Sequence, residues 1–70
     1  MEVKDARGLL CPEPVLIAKR VIDQLGLGTF QVIVDTVAAR DNITRLAQSK
    51  KWDITVETSG EEFLLTLKKA

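Results

Sequence analysis

The chain has no histidine, a single cysteine, no surplus of charge of either sign and no long apolar run. Each absence narrows the function. Without an imidazole, Cys-His catalysis and the usual thiolate-imidazole zinc sites cannot be assembled from this chain alone. With one cysteine there is neither an internal disulfide nor a Cys-x-x-Cys redox pair, which suits a reducing compartment. Ten Lys and Arg stand against ten Asp and Glu. A small nucleic-acid binder shows a basic excess, so direct nucleic-acid binding is not expected, and the pairs Lys50-Lys51 and Lys68-Lys69 read as solvated element ends. No segment has the length and apolarity of a membrane span, and the polar residues 1–7 do not resemble a secretion signal. The expected location is the cytoplasm, with no membrane association. No cofactor or metal site is expected.

What is present is a short, well-patterned sequence. Seventy residues, 46% hydrophobic and 29% charged, predict a single folded domain over 1–70 with a thin core. Residues 2–6 read as a short strand, with Gly8 turning the chain after it. Val15, Ala18, Val21, Ile22 and Leu25 recur at spacings of three and four, predicting a helix over 12–25 that Gly26 and Gly28 stop. Residues 30–35 alternate as a strand does. Thr36 is placed to cap a second helix at about 37–50, its apolar face formed by Ala39, Ile43, Leu46 and Ala47. Residues 52–57 and 62–68 alternate again, and Thr58-Ser59-Gly60-Glu61 joins them as a hairpin. The order is βαβαββ. The first two strands, joined through a helix, are expected to be parallel and the last two antiparallel. The fold class is then α+β: a two-layer α/β sandwich with a four-stranded mixed sheet, both helices on one face, and the other face toward water. Val15, Ile22, Val32, Ile43, Leu46, Ile54, Phe63 and Leu65 are the expected core.

The chemistry gathers at the first helix start. Proline fits only in the first helical turn, where its missing N–H and its bulk do no harm. Pro12 and Pro14 therefore fix that start, Pro12 at the first helical position and Cys11 at the N-cap. A thiolate at an N-cap faces unpaired backbone N–H groups and the positive end of the dipole. The dipole supplies only ~0.3–1 kcal/mol, less than one pKa unit at about 1.4 kcal/mol each, and Glu13 opposes it. From an ordinary value of ~8.5 the thiol stays mostly protonated at neutral pH unless Arg7, Arg20 or a partner adds positive charge. That is too little for a hydrolytic nucleophile and enough for sulfur exchange assisted by a partner enzyme. The residues alone leave two readings open: a reactive thiol, or a small apolar residue at a structural cap.

Asp5-Ala6, Gly8-Leu9 and Cys11-Pro12-Glu13-Pro14-Val15 together resemble the N-terminal signature of the TusA/SirA family of sulfur carriers. The stretches Val34-Asp35-Thr36 and Asp41-Asn42-Ile43 resemble that family's second strand and helix, and the whole chain looks most like its YedF branch, associated with selenium metabolism. YedF-like proteins often have a second domain. The resemblance implies a fold like the C-terminal domain of translation initiation factor 3. It also implies that Cys11 accepts sulfane sulfur as a persulfide from a cysteine desulfurase. The sulfur would pass to a downstream acceptor protein, in tRNA thiolation, cofactor synthesis or selenium metabolism. Such a protein is a sulfurtransferase-type carrier rather than a stand-alone enzyme. The alternative is a non-catalytic interaction or regulatory module in which Cys11 merely caps the helix. On the carrier reading, Cys11 is partly exposed on a shallow edge near Asp35, Thr36 and Arg40. Arg7, Gly8, Leu10, Glu13, Asp35 and Arg40 then form the rim or docking surface.

Overall fold

The computed structural model describes residues 2–9 and 13–69. Six elements follow the expected order: β1 (Glu2–Asp5), α1 (Glu13–Leu25), β2 (Gly28–Val34), α2 (Val37–Ser49), β3 (Asp53–Ser59) and β4 (Glu62–Lys69). The four strands form one sheet in the order β1-β2-β4-β3. β1 runs parallel to β2, while β4 is antiparallel to both β2 and β3. The last strand is thus inserted between the second and third.

Local chemistry accounts for the element ends. Pro14, buried in the first turn of α1, forfeits no hydrogen bond there because first-turn N–H groups have no partner in the helix. α1 ends where Gly26 adopts φ 71° and donates its N–H to the Ile22 carbonyl at 2.9 Å. Thr36 caps α2, its Oγ1 accepting the Ala39 N–H at 3.1 Å. The end of α2 is less expected. Trp52 N–H donates to the Ala47 carbonyl at 2.8 Å and Lys51 N–H to that of Gln48 at 3.1 Å, the paired bonds of a Schellman stop. The left-handed residue of that motif is Lys51, at φ 62°, where glycine is usual. In the β3–β4 hairpin Ser59 pairs with Glu62. This leaves a two-residue turn whose first position, Gly60, takes φ 60°, as a tight primed turn requires.

The core lies between the helices and the sheet face made by Phe30, Val32 and Val34 of β2 and Leu65 and Leu67 of β4. From the helices come Ala18, Val21, Ile22, Ala39, Ile43 and Ala47, all buried. Trp52 closes one end, its ring edge-on to Phe30 at 5.5 Å between centroids. On the opposite face Gln31 Nε2 donates to Thr66 Oγ1 at 3.1 Å across the β2–β4 pair.

Of the eight expected core residues, Ile22, Val32, Ile43 and Leu65 are buried, but Val15, Leu46, Ile54 and Phe63 are only half-buried and pack against the core from its margin. Leu25, counted in the α1 stripe, is 42% exposed at the helix's last residue. β3 is an edge strand whose outer half lies beyond the cover of the helices. Val56 there is 38% exposed although it shares a face with buried Leu65. Among the described residues, no helix is long and apolar enough to cross a membrane.

Candidate functional site

Parallel pairing of β1 and β2 brings the carboxyl ends of both strands to one edge of the sheet. Open sheets of this kind place ligands and chemistry at that edge. The ladder continues past Asp5 through the Ala6 N–H, which donates to the Ile33 carbonyl at 2.9 Å. The chain then turns at Arg7 and Gly8 toward α1.

Charge-assisted bonds hold this turn. Arg7 donates to Asp5 three times: from its backbone N–H and Nε to Oδ1 at 3.0 and 2.9 Å, and from Nη2 to Oδ2 at 2.7 Å. Its Nη1 reaches Glu62 Oε2, at the start of β4, at 2.9 Å. The guanidinium holds the Asp5 carboxyl down from 3.8 to about 2, chiefly through these side-chain bonds, and the two carboxylates raise Arg7 in turn. Arg7 therefore carries no uncompensated charge, since Asp5 and Glu62 outweigh it. The next N–H, that of Gly8, donates to Asp35 Oδ2 at 3.0 Å. Gly8 adopts φ 76°, a conformation that costs other L residues roughly 1–2 kcal/mol.

Asp35 stands between the buried end of β2 at Val34 and the capping Thr36. One turn into α2, Arg40 lies over the Phe63 ring at 5.0 Å and pairs with Asp41 at 3.0 Å. The edge thus gathers Arg7, Gly8, Asp35 and Arg40 with Glu62 and Phe63 of β4. On α1, Glu13 is exposed at the helix start, and Arg20 lies on the same side as Glu13, Leu16 and Ile17. An open-sided groove of about 340 Å³ between β1 and α1 is lined by Lys4, Asp5, Ile17, Arg20, Val21 and Gln24. The expected carrier residue Cys11, with Leu10 and Pro12, lies outside the described residues.

The sequence of residues 2–69 matches the family described as sulfurtransferase TusA. The chain belongs to the TusA family. A Methanocaldococcus jannaschii protein named as a candidate sulfur carrier is 31% identical over 71 residues, spanning 99% of this chain and 95% of the relative. The crystal structure of a SirA-like protein from Desulfitobacterium hafniense superposes with a TM-score of 0.90 at 30% identity, covering 97% of this chain and 96% of that one. TusA membership agrees with the fold, which the SirA-like structure shares. Within the matched residues, Asp5 is ion-paired with Arg7 and Gly8 is a left-handed donor.

Glu62 and Phe63 were missed in the sequence because a hairpin glutamate and an alternating phenylalanine carry no local mark of a site. The signal that finds them is the register, Val34 opposite Phe63, which places the start of β4 beside the end of β2.

Proposed function

We propose that this protein is a sulfur carrier in which Cys11 holds sulfane sulfur as a persulfide. One observation carries the reading: the TusA match spans residues 2–69 and contains a single cysteine, in the sequence Cys11-Pro12-Glu13-Pro14 that runs into α1. The donor is a cysteine desulfurase. The Cys11 thiolate attacks the outer sulfur of the donor's Cys–S–SH, the S–S bond breaks, and the donor thiolate leaves. Cys11 is left as Cys–S–SH with no net oxidation. The same exchange in reverse sense passes the sulfur to an acceptor protein, and its rate depends on thiolate fraction and access.

Pro12 and Pro14 set the start of the helix on this reading, with Glu13 on its first turn. Arg7, Gly8, Leu10, Asp35 and Arg40 rim the site. The partner supplies most of the activation, so the chain acts as a carrier rather than a stand-alone enzyme. A thiol that must stay reduced between transfers fits the cytoplasm. Kinship with the selenium-linked YedF branch is part of the proposal and is tested by offering selenocysteine in place of cysteine.

Incubation with a desulfurase and cysteine should raise the intact mass by about 32 Da, one sulfur atom on a thiol, and dithiothreitol should reverse the gain. Cys11→Ser should not load. No gain in the wild type would leave the interaction-module reading, with Cys11 as a cap.

A further inference from the structure

Both lysine pairs, far apart in the chain, come together at the edge of the sheet opposite the carboxyl ends of β1 and β2. Lys50 and Lys51 follow the last turn of α2, Lys68 and Lys69 end β4, and the Lys69 ammonium donates to the Lys50 carbonyl at 3.3 Å. The loop from α1 to β2 borders them. Gly28 stands opposite Lys69 in the sheet register, and Leu27 before it is 63% exposed, as Leu25 is by 42%. We propose that this lysine edge is a docking surface for an acidic segment of a partner protein that also carries apolar side chains. The inference goes beyond the carrier reading and does not depend on it.

Charge and apolar exposure together select the occupant. Asp53 stands opposite Lys68 in the β3–β4 register and offsets it. Lys50, Lys51 and Lys69 have no ion-pair partner among the described residues. Asp5, Asp35, Glu61 and Glu62 lie at the other edge, so the net charge of zero is the sum of two unlike ends. The lysine edge therefore calls for an anion, and the leucines decide which kind. A phosphate backbone offers Leu25 and Leu27 nothing apolar, and its recognition favours the forked guanidinium of arginine, whereas the cations at these element ends are all lysine. A bilayer favours exposed aromatic anchors at its surface, and the aromatic ring at this edge, Trp52, is buried against Phe30. An acidic protein segment meets both demands, with carboxylates for the lysines and an apolar side chain over the leucines. The seven residues of β2 hold the two edges ~20 Å apart, so a segment docked here leaves the other edge free for a second protein.

The probe is a synthetic peptide of glutamates interrupted by leucines, titrated into isotope-labelled protein and followed by amide chemical shifts. Shift changes should centre on Leu25, Leu27, Lys50, Lys51 and Lys69 and leave Arg7, Asp35 and Arg40 unmoved. Lys50→Glu combined with Lys69→Glu should weaken binding roughly tenfold or more, because like charges then face the peptide. Leu27→Ser, at a position too exposed to disturb the core, should weaken it roughly 3- to 10-fold, and so should serine in place of the peptide's leucines. Added salt should weaken the wild-type complex by screening the lysines. Absence of saturable binding overturns the proposal. So do shifts centred on the edge of Arg7 and Arg40, or equal affinity for the serine-substituted peptide. Tighter binding of an oligonucleotide of the same charge would make the edge a nucleic-acid surface, and tighter binding to phosphatidylserine vesicles a membrane one; either result also overturns it.

Discussion

The hydrogen bonds of single residues put the titration of Asp5 far below the range in which a thiol titrates. The Arg7 guanidinium keeps Asp5 ionised down to about 2. A carboxylate whose pKa is depressed by folding contributes stability that is present above its unfolded value and lost as pH falls through the folded one. For Asp5 that window runs from 3.8 down to about 2, far below neutrality. The expected outcome of a carbon-detected NMR titration is an Asp5 midpoint near 2 in wild type, returning toward 3.8 in Arg7→Ala. An unchanged midpoint in the variant would mean that Arg7 does not hold Asp5 in solution. Arg7 also shows where reading residues one at a time reaches its limit. In the sequence it is a cation four residues from Cys11, a candidate activator. In the fold two carboxylates neutralise it, one of them, Glu62, 55 residues away in the chain, and no local pattern announces that pair.

Elements were readable in proportion to how local their causes are. The Thr36 cap, the Gly26 stop and the Gly60 turn are each written in one or two residues, and all stand where the sequence puts them. The end of α2 is different, because Lys51 takes the left-handed place that a glycine would have advertised. Its strain yields a direct expectation. Lys51→Gly should stabilise the domain by about 0.5–1 kcal/mol in denaturant unfolding: relief of a left-handed L residue, ~1–2 kcal/mol, less the entropy that glycine adds to the unfolded chain. Destabilisation would show that the Lys51 side chain contributes more than its backbone strain removes. Strand order was not readable, since insertion of β4 between β2 and β3 depends on pairings made across the fold. The same is true of the core margin. Alternation assigns Phe63, Ile54 and Val56 to the helix face, but it cannot say that two 13-residue helices leave the outer part of β3 uncovered. Ile43, fully buried in α2, is where the helix layer should be least tolerant. Ile43→Ala is expected to cost ~2–5 kcal/mol in denaturant unfolding, and a loss under ~1 kcal/mol would mean that α2 packs differently in solution.

At the scale of the whole molecule, the site and the core occupy different regions. A 70-residue domain has only about 4–10 kcal/mol of stability at ~0.05–0.15 kcal/mol per residue. The core between β2, β4 and the helices supplies it, while the charged edge holds exposed or half-exposed groups whose loss the fold can tolerate. That separation allows docking and presentation to be measured apart. Arg7 and Arg40 sit at the same edge but are tied differently. Arg7 faces two carboxylates and pins the turn that leads to Cys11. Arg40 pairs with one, Asp41, and lies on the Phe63 ring, away from that turn's hydrogen bonds. Arg7→Glu would put three carboxylates together and release the turn. It should therefore slow both iodoacetamide alkylation of Cys11 and sulfur uptake from a desulfurase. Arg40→Glu leaves the turn intact and alters only what an approaching protein meets. It should leave alkylation unchanged and slow uptake several-fold at low salt, with the deficit shrinking as salt screens the rim charge. Circular dichroism of both variants should match wild type. If Arg40→Glu leaves uptake untouched, Arg40 is a solvated helix charge and docking lies elsewhere. If Arg7→Glu slows uptake but not alkylation, Arg7 acts by meeting the partner rather than by holding the turn.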